Sequence, residues 1–284
     1  MRKRDDANFK KLKTYFKNRD DVLMAFLFGS QAKGYNTKRS DWDIGVYLKP
    51  KSGRLEWDTG ELYPQRGEIW RELSEILHTD GVDLIVFNSS SATIADAAIR
   101  GIPLIIKDRK QFLNFMLAVS GEAEDYRQTI KEYADIYWRS KSLSQQDREM
   151  LDRRLIFLDS ELRDIKKFRQ LTQREYQNEK DKSKKRDAEH WVENIVIATV
   201  DIAKTVLASQ KRAGADSYRE IVEAGCSVLG LSEEVVKKFG EWVRLRNLLT
   251  HEYLDLRWKE IKAFIDEAPP YLEKFLKAAK KYLK

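Results

Sequence analysis

The stretch that decides the fold of the first part of the chain is Val-Leu-Met-Ala-Phe-Leu-Phe-Gly-Ser (22–30), followed by Ser-Asp-Trp-Asp-Ile-Gly-Val (40–46). An apolar run of strand length ends at a Gly-Ser turn, and a second strand-like run begins beside two carboxylates. Side chains at i and i+2 of a strand point to the same face, so Asp41 and Asp43 are expected to lie on one side together. Two like charges this close are unfavourable unless a cation lies between them.

A third carboxylate, Asp83, lies in Gly-Val-Asp-Leu-Ile-Val-Phe (81–87), which the apolar pattern predicts to be a neighbouring strand. Carboxylate oxygens suit Mg²⁺, which usually takes one or two carboxylates together with substrate phosphates. Three carboxylates beside a glycine turn therefore indicate metal-assisted nucleotidyl transfer. The alternative is a surface turn with solvated aspartates, because Gly-Ser and Asp-x-Asp are each common alone.

Residues 28–46 resemble the Gly-Ser…Asp-x-Asp signature of the nucleotidyltransferase superfamily that includes DNA polymerase beta. The short form Gly-Ser-x-Ala-Lys-Gly is similar to that of the minimal nucleotidyltransferases. The resemblance covers the first 110 to 140 residues. It implies a substrate ATP, a Mg²⁺ requirement and a mixed-sheet domain.

The resemblance also implies roles for individual residues. Gly29 and Ser30 would hold the triphosphate through backbone amides and a hydroxyl. Asp41 and Asp43 would hold two metal ions, and Asp83 would complete the metal site and help to activate the acceptor hydroxyl. Lys33 occupies a position where many relatives carry Arg. A lysine would offer a phosphate one compact positive charge, without the two parallel hydrogen bonds that an arginine can donate.

The two parts of the chain differ in their apolar patterns. Strands and helices alternate up to about Lys110, and only helical spacing follows. The predicted fold class is α+β, with a nucleotidyltransferase domain at 1–140 and an all-α helical bundle at 141–284, joined by the polar stretch 140–147. Within the bundle, 148–173 is predicted to be helical and 174–187 to be a solvated helix end or a mobile loop. Pro269-Pro270 is expected to interrupt the last helix.

A second motif reads Trp242-Val-Arg-Leu-Arg246-Asn247-Leu-Leu-Thr-His251-Glu-Tyr253. Arg246 and His251 are expected on adjacent helical turns, roughly 140° apart, where a loosened helix end could bring them together. His can move the 2′-hydroxyl proton of RNA or protonate the leaving oxygen near neutral pH. Arg can stabilise charge that builds on phosphate. The simpler alternative is a solvated or acid-paired helix end.

This stretch resembles the Arg-x4-His motif of the HEPN superfamily of helical ribonucleases, and the fuller Arg-Asn-x3-His-x-Tyr form is similar to its HepT branch. The resemblance implies a metal-independent ribonuclease that dimerises through the helical domain, with RNA, tRNA among the candidates, as its substrate. Glu193 falls where that branch often has an acidic residue. His78 and His190 have no such surroundings and are interpreted as ordinary surface or boundary residues.

In that family context the two modules commonly occur as adjacent toxin and antitoxin proteins, whereas here both lie in one chain. Relatives of the first module silence the second by transferring AMP to the tyrosine of His-x-Tyr, which is Tyr253 in this sequence. Two alternatives stay open. One is a small-molecule nucleotidyltransferase of the aminoglycoside-modifying kind, and the other is a non-catalytic helical half that serves dimerisation or nucleotide binding.

Composition agrees with a polyanionic partner. The 284 residues carry a net charge of +7, although a solvated surface rich in Lys-Glu pairs would give the same balance. The single cysteine, Cys226, excludes an internal disulfide, and neither a signal-like segment nor a run of transmembrane length is evident, so a cytoplasmic location without membrane contact is expected. No His/Cys cluster has zinc spacing.

Overall fold

The computed structural model describes residues 3–33, 41–139, 143–212, 214–249 and 258–283, without the side chains of residues 3–6 and 33. The chain forms two compact units, residues 1–126 and 127–284. The division falls within a long helix, and the functional boundary predicted at residue 140 stays a prediction.

The first unit contains a four-stranded sheet and its flanking helices. Its elements are α1 (Lys3–Lys17), β1 (Val22–Phe28), α2 (Gly29–Lys33), β2 (Trp42–Leu48), α3 (Gln65–Leu77), β3 (Val82–Val86), α4 (Ala92–Ile99), β4 (Ile102–Ile106) and the first part of α5 (Arg109–Arg139). The strand order is β3-β2-β1-β4. β1 is antiparallel to β2 and β4, whereas β2 is parallel to β3. The predicted mixed sheet is therefore confirmed.

The two faces of the sheet are covered by different helices. Alternate residues of β2 from Trp42 to Leu48 join one apolar core, to which α1 and α3 contribute side chains such as Phe16 and Leu73. On the other face, the ring of Tyr47 lies 4.7 Å from that of Phe115 on α5. Because strand side chains alternate, Asp43 lies on the face of Tyr47.

The edge strand β3 is protected by side chains of α3. Nε1 of Trp70 donates to the carbonyl oxygen of Val82 at 2.9 Å, and Nε of Arg66 donates to that of Leu84 at 3.2 Å. These bonds occupy backbone acceptors that an edge strand would otherwise offer to another chain. They also fix α3 beside the start of β3, where Asp83 lies.

The second unit is helical throughout its described part. After the end of α5 its helices are α6 (Gln145–Arg163), α7 (Ile165–Arg169), α8 (Gln173–Tyr176), α9 (Ser183–Ser209), α10 (Tyr218–Val228), α11 (Glu233–Leu249) and α12 (Trp258–Leu283). α9 is the central element, because its residues from Trp191 to Ser209 are mostly buried. The predicted α+β class, with a helical second part, is confirmed.

The helical spacing predicted across 148–173 is divided among three helices, because α6 ends at Arg163 and α7 and α8 follow it. The carbonyl oxygen of Glu161 accepts hydrogen bonds from Nε1 of Trp191 at 2.9 Å and from the amide of Asp164 at 3.1 Å. A tertiary contact thus occupies an acceptor that a continuing helix would use. The charged segment 174–187 contains the end of α8 and the start of α9, with no regular structure between them.

The predicted interruption at Pro269-Pro270 was wrong, because α12 continues through both prolines. An interior proline costs about 3 kcal/mol, but burial of one large apolar side chain contributes about 1.5–3 kcal/mol. Phe264 and Ile265 before the prolines, and Phe275 and Leu276 after them, are all buried. Packing along one continuous face outweighs the local penalty. Within the described residues, no helix has the length and apolar content to cross a membrane.

Candidate functional site

The sheet brings three predicted site elements to one end of its central strands. Asp43 is paired with Phe28 of antiparallel β1 on one side and with Asp83 of parallel β3 on the other. Gly29 follows Phe28 directly, so the Gly-Ser turn lies beside Asp43. Asp41 precedes β2 by one residue. The structure therefore gathers at one edge residues that are up to 54 positions apart in the sequence.

Gly29 is required by the closeness of Asp43. The glycine has a φ of +67°, a left-handed conformation that other residues rarely adopt. A Cβ atom added there would lie 1.9 Å from Oδ2 of Asp43. The amide of Ser30 donates a hydrogen bond to the Asp43 carboxylate. The Gly-Ser turn thus fixes the Asp43 carboxylate against the backbone. The Ser30 amide, which the sequence predicts to bind phosphate, donates its hydrogen bond to this carboxylate.

The electrostatics of the site favour a cation. Burial raises the pKa of Asp43, and the nearby charges of Asp83 and Asp41 raise it further, whereas the Ser30 amide acts in the opposite direction. Each of these two neighbours therefore lies close enough to disfavour the ionised form of Asp43. A bound cation would relieve this repulsion.

The same donors fit Mg²⁺ in its usual protein setting. Carboxylate oxygens are hard ligands, and the ion commonly takes one or two carboxylates with substrate phosphates. Within the part of the chain that the structure describes, no three His, Cys, Asp or Glu side chains stand together as a metal cluster. The prediction that Asp41, Asp43 and Asp83 all hold metal ions stays a prediction.

Gly81 is a site residue that the sequence reasoning missed. A Cβ atom added to Gly81 would lie 2.8 Å from Oδ1 of Asp41. The carbonyl oxygen of Gly81 also accepts a hydrogen bond from the amide of Trp42 at 2.8 Å. The glycine therefore lets the loop before β3 pack against Asp41. The available signal was a glycine two residues before the Asp83 strand position.

Two further predictions concern residues beyond the carboxylates. The Lys33 side chain falls outside the description, although its backbone ends α2. Ser30 is partly exposed in the first turn of the same short helix. The hydroxyl role predicted for Ser30 and the charge role predicted for Lys33 stay predictions.

The second predicted site is described in part. Arg246 lies in the last turn of α11, and its guanidinium carbon is 5.3 Å from the ring centroid of Tyr218 on α10. Nη1 of Arg246 donates to Oδ1 of Asn247 at 3.4 Å, and Asn247 is buried. An aromatic ring and a buried amide thus hold the guanidinium at the helix end. The phenol of Tyr218 lies 3.2 Å from Oγ1 of Thr129 on α5.

Of the remaining predicted members of this site, the structure describes Glu193 but not His251 or Tyr253. Glu193 lies on α9, where its Oε2 atom is 3.9 Å from Nδ1 of His190. His190 has an exposed side chain, as the sequence predicted. His251 and Tyr253, the predicted general acid–base and modification target, lie outside the described residues.

Two family models match separate parts of the chain. The model described as Polymerase beta, Nucleotidyltransferase matches residues 10–110, which include all four strands and the carboxylate site. The model described as Ribonuclease HepT-like matches residues 158–279, which include Glu193, Arg246, His251 and Tyr253. A comparison with curated proteins finds no match.

Proposed function

We propose that this chain, in which a polymerase-beta-type nucleotidyltransferase module precedes a HepT-like ribonuclease module in a toxin–antitoxin-like arrangement, is an enzyme that restrains its own nuclease. The first module transfers AMP from ATP to Tyr253. The second cleaves RNA without a metal ion, through Arg246 and His251, while Tyr253 is unmodified. RNA, with tRNA as one candidate, is the nuclease substrate, and a homodimer formed by the helical module is the proposed working state.

The observation that carries the proposal is the contact between the Gly-Ser turn and Asp43. Gly29 lies so close to the Asp43 carboxylate that a methyl group would overlap it, while Asp83 and Asp41 raise the pKa of the same carboxylate. A structural surface turn has no need to hold Asp43 near the like charges of Asp83 and Asp41, because repulsion destabilises the fold. Such an arrangement is typical of a site that a cation and a polyphosphate complete.

The transfer step requires few groups from the protein. The phenol oxygen of Tyr253 forms a bond to the α-phosphorus of ATP, the bond to the bridging oxygen breaks, and pyrophosphate leaves. The phenol proton passes to a carboxylate, for which Asp83 is the candidate because its side chain is exposed at the edge of the site. Bound Mg²⁺ supplies charge neutralisation on the phosphates. Asp41 and Asp43 are its proposed ligands, and Gly29 positions Asp43.

Modification would silence the nuclease by charge and size. The sequence places Tyr253 two residues from His251, so an AMP group on Tyr253 brings an anionic phosphate beside the nuclease motif. Such a group repels the phosphates of RNA and occupies the space that they need. Both modules belong to one chain. If the segment between them lets Tyr253 reach the transferase site, the effective concentration of this tyrosine is on the order of millimolar.

Intact-mass spectrometry of the purified protein, before and after incubation with ATP and Mg²⁺, tests the transferase. We expect addition of AMP, mapped to Tyr253 by peptide sequencing, and no addition in an Asp41→Ala/Asp43→Ala variant. Labelling that persists in Tyr253→Phe would rule out this target. An unchanged mass would favour a small-molecule acceptor instead of Tyr253. AMP transfer to an aminoglycoside would then support that alternative.

An RNA cleavage assay in the presence of EDTA tests the second module. We expect unmodified protein to cleave RNA, and the Arg246→Ala and His251→Ala variants to have lost this activity. Cleavage that survives in both variants would show that the nuclease lies elsewhere or that the activity comes from a contaminant.

A further inference from the structure

The residues that line a groove in the second unit include no member of the predicted motifs. Its volume is about 950 Å³, and it lies between residues 228–231, which join α10 to α11, and the C-terminal half of α12. The floor is apolar, with Leu229, Leu231 and Leu276 among its lining residues. Lysines of α12 line one side, where Glu273 and Asp159 also contribute, and we call this feature the lysine groove: Lys274, Lys277, Lys280 and Lys281.

The lysines are arranged along the helix in a regular way. Lys274, Lys277 and Lys281 follow i, i+3 and i+7 spacing, which places them on one face over a length of about 10 Å. All three are exposed. A row of this kind offers several positive charges to one extended anion.

Local partners do not neutralise this row. Lys280 forms an ion pair at 3.2 Å with Asp159, which also pairs with Arg163. Nζ of Lys274 lies over the ring of Tyr271 at 5.5 Å. Lys277 and Lys281 form no ion pair with any residue that the structure describes. The lining therefore keeps an excess of positive charge, with four lysines against Asp159 and Glu273.

The dipole of α12 explains only part of the pattern. Cations near a helix C-terminus are favourable, but the effect is confined to the last turn. Lys280 and Lys281 lie in that turn. Lys274 and Lys277 lie earlier in the helix, beyond the reach of this effect.

An anchored aromatic ring completes the groove. Tyr282 lines it, and the hydroxyl of Tyr282 lies 2.7 Å from both Oγ of Ser209 and Nε2 of Gln210 at the end of α9. These contacts fix the ring beside the lysines. A positive groove with an aromatic side chain is the arrangement that binds single-stranded nucleic acid, since lysines follow the phosphates and bases stack on the ring.

We propose that the lysine groove binds the sugar–phosphate backbone of single-stranded RNA next to the segment that is cleaved. The inference rests on the proposed ribonuclease function and names where its substrate docks. α11 has 17 residues and is about 26 Å long. The groove segment 228–231 precedes its first turn and Arg246 lies in its last, so the groove is a separate contact that extends the RNA footprint.

Binding of a fluorescein-labelled, mixed-sequence 20-nucleotide RNA, measured by anisotropy over a range of salt concentrations, tests the inference. The full-length protein carries Arg246→Ala to prevent cleavage, with or without Lys274→Gln/Lys277→Gln/Lys281→Gln. We expect the triple variant to bind about tenfold or more weakly at low salt. The slope of log K against log salt should fall by about 2, because each lost phosphate contact on single-stranded nucleic acid contributes about 0.7.

The matched control removes the same charge from another surface of the unit. Lys166, Lys180 and Lys182 are exposed and form no ion pair among the described residues, so Lys166→Gln/Lys180→Gln/Lys182→Gln lowers the net charge equally. We expect this control to retain most of the affinity. Equal losses in the two triple variants would overturn the inference, because charge in general rather than the groove would then govern binding.

A second pair of variants tests the aromatic ring. Tyr282→Leu removes the ring and should bind RNA more weakly without the change in salt slope, whereas Tyr282→Phe keeps the ring but loses its hydroxyl contacts and should bind with an affinity between those of Tyr282→Leu and the parent. Unaltered RNA binding in both the lysine triple variant and Tyr282→Leu would overturn the inference. RNA cleavage by the chain without these substitutions would still uphold the proposed nuclease. A parent that binds no RNA would also overturn it, and the cleavage assay would then decide the nuclease separately.

Discussion

Asp43 and Asp83 occupy the same register position of the neighbouring parallel strands β2 and β3. Adjacent strands are about 4.8 Å apart, so the carboxylates of Asp43 and Asp83 are neighbours on one side of the sheet. Asp43 is half-buried and Asp83 is exposed. The pairing contributes to the raised pKa of Asp43 and places negative charge where the Gly-Ser turn ends. The fold therefore keeps two repelling carboxylates close together at the proposed site of AMP transfer.

Replacing Asp43 by Asn should separate function from stability. The amide removes one of the repelling charges but keeps an oxygen that can accept the Ser30 hydrogen bond, so we expect an unchanged or slightly raised melting temperature. AMP transfer should fall by about 100-fold or more, since a lost ligand removes several kcal/mol of transition-state stabilisation. Thermal melts and intact-mass kinetics measure both effects. A large loss of stability would indicate that Asp43 has a structural role.

Gly29→Ala should displace the Asp43 carboxylate, because the added methyl group would lie 1.9 Å from its oxygen. Gly53 is a matched control, since its φ is +71° and nothing lies within 4 Å of an added Cβ. Both variants should lose about 1–2 kcal/mol from the left-handed backbone, measured by chemical denaturation, and Gly29→Ala should lose more because its methyl group overlaps Asp43. Only Gly29→Ala should also lose AMP transfer. Equal activity in the two variants would contradict the close approach.

Gly81→Ala should act on Asp41 with little effect on folding. The added methyl group would lie 2.8 Å from Oδ1 of Asp41, and the carboxylate can rotate away. We expect a higher Mg²⁺ concentration for half-maximal AMP transfer and a melting temperature within about 2 °C of the parent, as for a change of under 0.5 kcal/mol. Gly67→Ala is the control, because nothing lies within 4 Å of an added Cβ there. A Mg²⁺ titration that matches the parent would exclude Gly81 as a positioning residue.

Glu56 should make the first unit sensitive to acid. Burial raises the pKa of this carboxyl, but hydrogen bonds from Tyr63, Ser52 and Asn88 outweigh burial and hold the pKa below the ordinary value of 4.5. Because the folded pKa is depressed, the stabilisation is present above the unfolded value and is lost as pH falls through the folded one. Glu56→Gln should therefore destabilise by about 1–3 kcal/mol at pH 7 and by less near pH 3, measured by urea unfolding. A difference that does not shrink in acid would contradict this account.

Tyr218 should position Arg246 for RNA cleavage. The guanidinium lies 5.3 Å from the Tyr218 ring, and contacts of this kind contribute about 0.5–2 kcal/mol. Tyr218→Phe keeps the ring and should retain most of the cleavage rate, whereas Tyr218→Leu should reduce it about 2- to 30-fold. Measured rates with saturating RNA distinguish positioning from binding. Similar rates in the two variants would show that the ring does not orient Arg246.

Much of the first unit could be predicted because local signals and tertiary structure agree. The apolar run from Val22 to Phe28 can be covered on both faces only as a central strand, and β1 forms over that range. Asp41 and Asp43 precede or begin the next strand as expected. The neighbouring strand that carries Asp83 also forms, although its parallel pairing with β2 depends on the crossover through α3.

Other features could not be read from local pattern. α6 ends at Arg163, where the indole of Trp191, far along the chain, donates to the Glu161 carbonyl oxygen. α12 continues through Pro269 and Pro270 because a core built by other helices covers its apolar face on both sides. Local propensity was misleading at both places because the deciding contacts are long-range.

The sequence by itself determined the order of the strands and of the longer helices and the kinds of chemical group available, because periodicity and motif spacing are properties of neighbouring residues. Only the tertiary structure decided that Asp43 and Asp83 share a register position, that Gly81 lies against Asp41, and that residues 228–231 meet the lysines of α12. Each of these depends on chain segments that sequence separates and packing brings together. Burial and the hydrogen bonds that it demands select such contacts, and neither is a property of any one segment.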